Sequence, residues 1–261
     1  MEINMFYEFD HPLVPDYFKK ETGHNFDFPA HIHYCYELIV IDSGEMNVTV
    51  NDTEYSLTAG DAVLVFPNQI HSMNTPERSA HTLFIFAPNL VSAFTKAVGD
   101  RVPLNNQFRV SSLHYELIRR MKRDAGILDI KGLLYTLCAE FDKSTEYLDV
   151  GGDPKSLLYR TFRFIQKNYK GDCTLEALSH HTGYDYAYLS RYFKRIVGIY
   201  FNDYVNQVRI SHACYLLSNT DMSVNEICGE CGFKSLRSLN RNFKDTVGAT
   251  PTGYRRSPRN A

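Results

Sequence analysis

The chain contains 261 residues, which predicts two domains because one domain usually takes about 100–200 residues. Its 44% hydrophobic and 22% charged residues are typical of globular proteins and exclude a disordered chain. The net charge of −2 conceals an asymmetry that favours nucleic-acid binding by the second half: residues 1–150 hold 12 Lys and Arg against 21 Asp and Glu (−9), and residues 151–261 hold 16 against 9 (+7).

The sequence carries no pattern typical of export or membrane insertion. No apolar run reaches the roughly 18 residues of a membrane-spanning helix, and the first residues (MEINMFYEFDHP) lack the basic start of a secretory signal. We therefore expect a cytoplasmic protein without a membrane partner. Its scattered cysteines are expected to be reduced thiols: Cys35, Cys138, Cys173, Cys214, Cys228 and Cys231.

Residues 26–88 are predicted to form a β-sandwich or barrel. Short β-branched or apolar segments alternate there with turn residues, at a spacing typical of such folds. The predicted strands are Glu37–Asp42, Met46–Asn51 and Ala62–Phe66, and the predicted turns are Ser43-Gly44, Asn51-Asp52 and Gly60-Asp61.

Between Ser112 and Tyr147 the apolar residues recur every three or four positions, which predicts helices. Gly126 and Gly132 are expected to divide this segment into two helices. Each helix has an apolar face, and periodicity leaves two partners open for it: the barrel of the same chain or a second subunit.

The segment Val150–Pro154 (VGGDP) is the predicted linker between domains 1–150 and 151–261. Its two glycines loosen the backbone, and Asp153-Pro154 is suited to begin a helix. The charge changes sign at the same point of the chain.

The second half contains a duplication. Gly183-Tyr184 corresponds to Gly232-Phe233, and FKRIVG at 193–198 corresponds to FKDTVG at 243–248. A tyrosine follows six residues after each final glycine, at Tyr204 and Tyr254. Each copy predicts a helix, a glycine turn and a second helix, the arrangement of a DNA-reading unit. The predicted helix caps are Thr174, Asp185, Ser223 with Glu226 as a capping box, and Ser235. A continuous helix over Asn202–Ser218 is expected to fix the separation of the two units.

At these residues the chain resembles the AraC/XylS family of bacterial transcriptional regulators, over Leu157–Arg255. The motifs that carry the resemblance are LSRYFKRIVG (189–198), VRISHACYLLSNT (208–220), ICGECGF (227–233) and NRNFKDTVGATPTGYR (240–255). The resemblance implies two helix–turn–helix units that place their second helices in successive major grooves of double-stranded DNA.

By position, the resemblance assigns base contacts to one face of each second helix. These are Tyr186, Ala187, Ser190 and Arg191 in the first unit, and Leu236, Arg237, Asn240 and Arg241 in the second. Arg and Asn are the strongest readers, since Arg binds guanine and Asn binds adenine through two hydrogen bonds. Phosphate contacts are expected from Lys194, Arg195, Lys244, Arg255 and Arg256.

Four positions depart from the pattern or allow another reading. Leu239 stands where the family often has Phe, an exchange within the core, and Ala187 offers at most an apolar contact to a thymine methyl group. Cys228 and Cys231 form a C-x-x-C pair, which we expect to pack in the core because no second pair lies nearby to complete a metal site.

The first half carries the pattern H-x-H-x3-E-x6-G from His31 to Gly44, followed by Gly60-Asp61 and a PNQIH segment that ends at His71. This is similar to the two motifs of cupin barrels and to the sensor half of many such regulators. The resemblance implies an effector pocket at His31, His33, Glu37 and His71, suited to hydrogen-bond a sugar or another small polar metabolite.

The same four residues are the ligands if this barrel binds a metal. The sequence does not favour a metal, because Gln69 stands where metal-binding cupins have Gly and because His71 comes one residue early. We expect that no cofactor is required.

The sequence thus predicts an α+β chain: an N-terminal antiparallel cupin-like (jelly-roll) barrel with following helices, and a C-terminal all-α domain of two helix–turn–helix units. We expect a non-enzymatic, DNA-binding transcriptional regulator that forms a homodimer, responds to a small-molecule effector and contacts RNA polymerase as the resemblance implies. Two alternatives stay open: a cupin metalloenzyme fused to a DNA-binding domain, and a constitutive DNA-binding protein whose barrel only dimerises.

Overall fold

The computed structural model describes residues 6–7, 16–99, 101–122, 124–149 and 157–256. Of the described residues, those up to 149 form one compact unit and those from 157 onward form a second. The predicted linker Val150–Pro154 lies outside the described residues. Within the described part of the chain, no helix is both long and apolar enough to cross a membrane.

The first unit is built mainly of strands, with three α-helices after most of them. Its strands are β1 (Phe6–Tyr7), β2 (Phe18–His24), β3 (Phe28–Ile32), β4 (Tyr36–Val50), β5 (Thr53–Thr58), β6 (Asp61–Val65), β7 (His71–Asn74), β8 (Ser79–Phe86), β9 (Arg101–Pro103), β10 (Gln107–Arg109) and β11 (Tyr147–Asp149). Its helices are α1 (Ser92–Val98), α2 (Ser112–Arg120) and α3 (Ile127–Asp142).

Strand β4 belongs to both halves of the barrel. Its first part pairs with β6 and β8, and its last six residues pair with β5 and β7, all antiparallel. The predicted turn at Ser43-Gly44 is therefore wrong, because the strand continues through a bulge after Ile41. Gly44 has φ +74°, and a Cβ on it would lie 2.0 Å from the carbonyl oxygen of Arg78, so only glycine fits this bend.

Alternation along the strands separates two apolar cores. Ile39 and Ile41 of β4 face the barrel interior together with Met46, Val63 and Leu83. The intervening Leu38 and Val40 face outward, where the helices cover them. The predicted antiparallel barrel with packed helices is confirmed.

Helix α3 supplies most of that cover. It runs without interruption through Gly132, so the predicted break there is wrong. A glycine in a helix interior costs only about 1 kcal/mol, which burial of the apolar face outweighs. The helical prediction up to Tyr147 is also wrong, since Tyr147 begins β11 and pairs with β9. The buried residues of α3 are Ile130, Leu133, Leu134, Leu137, Cys138 and Phe141.

The second unit is all helical in its described residues. Its helices are α4 (Leu157–Asn168), α5 (Leu175–Thr182), α6 (Tyr186–Val197), α7 (Phe201–Asn219), α8 (Val224–Glu230), α9 (Leu236–Val247) and α10 (Pro251–Arg256). The predicted caps are confirmed, including the capping box of Ser223 and Glu226.

The duplication is also visible in the packing. Phe193 and Tyr204 meet edge to face at 5.7 Å, and Phe243 and Tyr254 repeat that contact at 5.6 Å. Helix α7 joins the two copies: Tyr204 packs against rings of the first copy, whereas the segment from Ile210 to Leu217 lies in the core of the second. The two cores thus share one helix.

Candidate functional site

The first unit brings four predicted site residues together, and we name them the His/Glu cluster: His31, His33, Glu37 and His71. Each side chain is at most 2% exposed, and one ligand atom from each lies within 4.8 Å of the others. They come from the end of β3, the loop after it, the start of β4 and the start of β7. The antiparallel pairing of β3 with β7 sets His31 opposite His71, although the two residues are distant in the chain.

Hydrogen bonds orient the cluster. Oε2 of Glu37 lies 3.0 Å from Nε2 of His33 and 3.4 Å from Nε2 of His71. On the other side of the rings, Nδ1 of His31 is 3.0 Å from the carbonyl oxygen of Pro29, and Nδ1 of His71 is 2.9 Å from that of Gln69. A carbonyl only accepts, so both Nδ1 atoms carry a proton.

The cluster also changes the acidity of its members. Burial, together with the neighbouring His71, lowers the pKa of His31 to about 4, so His31 is neutral at pH 7. Burial alone raises the pKa of Glu37, but the interactions with His71 and His33 outweigh burial and hold the pKa of this carboxyl well below its usual value. The carboxyl is therefore ionised in the barrel interior.

Two buried amides, which the sequence did not mark as site residues, hold the loop before His71. Oε1 of Gln69 accepts from the backbone N–H of Phe66 and from Nδ2 of Asn106, both at 2.8 Å. Nδ2 of Asn106 also donates to the carbonyl oxygen of Leu64 at 2.7 Å. Gln69, the departure from the cupin pattern, thus fixes the loop that presents His71. No sequence signal marks Asn106, which is distant in the chain.

A left-handed residue completes this loop. Asn68 has φ +64°, a conformation that Asn tolerates better than most residues. Its backbone N–H donates to the carbonyl oxygen of His33 at 2.9 Å, which joins the loop to the other end of the cluster. The dipeptide Pro67-Asn68 is typical of turns, so this turn could have been predicted from the sequence.

In the second unit, helices α6 and α9 present matching faces. The residues assigned to base contacts are exposed, apart from the half-buried Ser190, and their spacing puts them on one face of each helix. The opposite faces hold Leu189 and Phe193 in one core and Leu239 and Phe243 in the other. The exposed residues are Tyr186, Ala187 and Arg191 in α6, and Leu236, Arg237, Asn240 and Arg241 in α9.

The residues predicted to contact phosphates fall into two groups. Arg195, Lys244 and Arg256 are exposed at or near helix ends. For the other two, the structure gives hydrogen bonds to the backbone: Nζ of Lys194 donates to the carbonyl oxygen of Gly198 at 2.7 Å, and the guanidinium of half-buried Arg255 donates to that of Met222 at 2.5 Å.

The C-x-x-C pair lies in the core of the second repeat. Cys228 and Cys231 are buried there beside Cys214. Burial raises the pKa of Cys231 to about 12, which keeps its thiol protonated and unreactive at pH 7.

Comparison with known proteins agrees with both units. Residues 17–138 match the AraC-like ligand binding domain, and residues 178–257 match a helix-turn-helix domain. The HTH-type transcriptional activator RhaR of Enterobacter sp. (strain 638) is 24% identical over 90% of this chain and 89% of its own length. The uncharacterized HTH-type transcriptional regulator YtdP of Bacillus subtilis (strain 168) is 30% identical over 45% of this chain, which is 16% of that protein. A crystal structure of unsaturated fatty acid bound ToxT from Vibrio cholerae aligns with 91% of this chain and 94% of its own, at 14% identity and a TM-score of 0.45.

Proposed function

The chain belongs to the AraC family of transcriptional regulators, and we propose that α6 and α9 bind two successive major grooves of a promoter. The observation that carries this proposal is the repeated exposed face on two helices whose opposite faces are locked into equivalent cores. Arg191, Arg237, Asn240 and Arg241 are the proposed base readers, because their side chains can form two hydrogen bonds with one base. Domains 1–150 and 151–261 are part of the same proposal.

Phosphate contacts fix the position of the protein on the DNA, but they do not select the base sequence. We assign them first to Arg195, Lys244 and Arg256, which are exposed. Lys194 and Arg255 stay in the proposal as contacts from the ends of α6 and α10. The excess positive charge of residues 151–261 supports binding to DNA of any sequence.

The first unit is proposed to sense a small polar molecule at the His/Glu cluster. Ligand sites combine an apolar enclosure with a few convergent polar groups, and the cluster places three imidazoles and a carboxylate in an otherwise apolar barrel interior. A sugar or a similar metabolite offers the hydroxyl groups that would bind them. We propose that the bound molecule shifts the regulator between two states that differ in their affinity for DNA. The size of that shift cannot exceed the difference in the molecule's affinity for the two states.

A homodimer is proposed through the outer surface of α2 and α3. Leu113 is 68% exposed and Leu128 is 82% exposed there, on the side that does not cover the barrel. A second copy can cover both leucines with its own α2 and α3, because the two subunits of a twofold dimer use the same surface. We further propose that the regulator activates transcription through RNA polymerase in the cytoplasm and has no catalytic activity of its own.

Selection from random duplex DNA by the full chain tests the proposal. The selected duplex is expected to bind at least about 1,000-fold more tightly than a scrambled one at physiological salt. Equal affinity for both duplexes would contradict sequence-specific binding. A thermal-shift screen of metabolites tests the sensor separately, since a ligand at 100 times its Kd stabilises the folded unit by about 2.7 kcal/mol.

A further inference from the structure

The four donors of the His/Glu cluster form a set that transition metals favour. Imidazole nitrogen and carboxylate oxygen are ligands of Zn²⁺, Fe²⁺, Co²⁺ and Ni²⁺. In the described part of the chain, this is the one group of three or more His, Cys, Asp or Glu side chains close enough to share an ion. All four side chains are buried, unlike the exposed acidic groups that occur without an ion.

The dimensions are close to those of a metal site. Donor atoms lie within 4.8 Å of one another, whereas two ligands on opposite sides of an ion with bonds of about 2.1 Å are separated by about 4.2 Å. The widest pair therefore has to close by only about half an ångström.

The backbone selects the nitrogen that each ring can offer. The carbonyl oxygens of Pro29 and Gln69 accept from Nδ1 of His31 and His71, which leaves Nε2 of each ring available to the cluster. Histidines that bind metals usually donate their other ring N–H to such a carbonyl. The two rings are therefore already held in the orientation that an ion requires.

The carboxylate of Glu37 provides the strongest electrostatic reason for a cation. Its Oε2 lies 3.4 Å from Nε2 of His71, so the carboxylate and this ring can face one shared positive charge. Its Oε1 finds no hydrogen-bond partner among the residues that the structure describes. A buried anion in this position needs a positive charge beside it, either an extra proton on a ring or a metal ion.

We infer that the His/Glu cluster binds one divalent first-row transition metal ion, through Nε2 of His31, His33 and His71 and a carboxylate oxygen of Glu37. The sequence argues against this site because His71 comes early, but the Gln69–Asn106 hydrogen bonds place His71 within the cluster all the same. An ion held by these residues leaves coordination positions for a polar molecule, so the inference deepens the proposed effector site. Binding of the ion itself does not depend on that effector or on DNA.

The experiment uses the untagged full chain, stripped with a chelator and dialysed against Co²⁺ or Zn²⁺ without DNA or metabolite. We expect uptake of about one equivalent by elemental analysis, a visible Co²⁺ absorption spectrum, and a rise in melting temperature on metal addition. Uptake far below one equivalent by the wild-type chain would overturn the inference and leave a ring proton as the positive charge.

Variants locate the ion. Glu37→Gln and His71→Ala are expected to lower the affinity for Co²⁺ by at least about tenfold and to change its spectrum. The matched control is His114→Ala, which removes a histidine paired with a single carboxylate, Glu140, outside the cluster. An equal loss in the control would refute this location. Sequence-specific DNA binding is measured separately, so a chain that binds DNA but no metal rejects only the inference.

Discussion

A Cβ atom on Gly232 would lie 2.6 Å from the carbonyl oxygen of Tyr169, so the turn of the second repeat is closed around this glycine. Its counterpart in the first repeat, Gly183, has nearly the same φ (+77° against +78°) but meets no atom within 4 Å. Two positions equivalent in sequence therefore differ in the space that surrounds them.

The first prediction follows from this difference. Gly183→Ala is expected to lower the free energy of unfolding by about 1–2 kcal/mol, which is the strain of a left-handed conformation. Gly232→Ala adds a backbone clash and should cost more. Urea unfolding of the helical unit, followed by circular dichroism, measures both variants. Equal losses would show that the turn of the second repeat can open without cost.

The second prediction concerns how DNA is read. Arg237→Ala is expected to weaken the free energy of DNA binding by about 1–3 kcal/mol and to relax specificity at one base position. Lys244→Ala should weaken all duplexes alike and reduce the salt slope by about 1. Binding of a library of single-base variants separates the two effects. An equal loss on the selected and the scrambled duplex for Arg237→Ala would remove it from the base readers.

The third prediction tests the dimer surface. Burial of an exposed leucine contributes about 1.5–3 kcal/mol, so Leu128→Glu should raise the dimer dissociation constant at least about tenfold. The matched control is Leu104→Glu, which changes another exposed leucine of the first unit, 53% exposed and outside α2 and α3. Sedimentation of both variants gives the result, and a dimer that survives Leu128→Glu places the interface elsewhere.

The fourth prediction concerns the buried amides beside the His/Glu cluster. Asn106→Ala removes both hydrogen bonds of Nδ2 and leaves the carbonyl oxygen of Leu64 unsatisfied, at a cost of about 1–3 kcal/mol. The neighbouring Asn105 is exposed, so Asn105→Ala should cost less. Thermal unfolding of the barrel compares them, and similar melting temperatures would contradict a structural role for Asn106.

The sequence specified the second unit more completely than the first. Its helix ends depend on local rules, and Thr174, Asp185, Ser223 and Ser235 each cap the helix that follows. Local hydrogen bonds between a side chain and the next turn need no knowledge of the rest of the fold.

The errors in the first unit come from long-range contacts. Ser43-Gly44 has the composition of a turn, but strands on both sides of β4 hold it in an extended bulge. The short strands β9 and β11 pair across more than 40 residues and leave no periodic pattern. In the same way, the residue types of the His/Glu cluster were readable, but the support from Asn106 depends on a fold that brings distant residues together.

Helix α7 has a consequence for the operator. Because α7 enters both cores of the second unit, it sets the rotational phase between the two reading helices. One residue inserted between Val205 and Ile210 would turn one repeat by about 100° against the other, since an α-helix has 3.6 residues per turn. Each repeat could then still fit a groove alone, but not both on the same face of DNA. In the proposed mode of DNA binding, the length of α7 therefore sets the spacing of the bases within one operator half-site, although α7 itself has no proposed base contact.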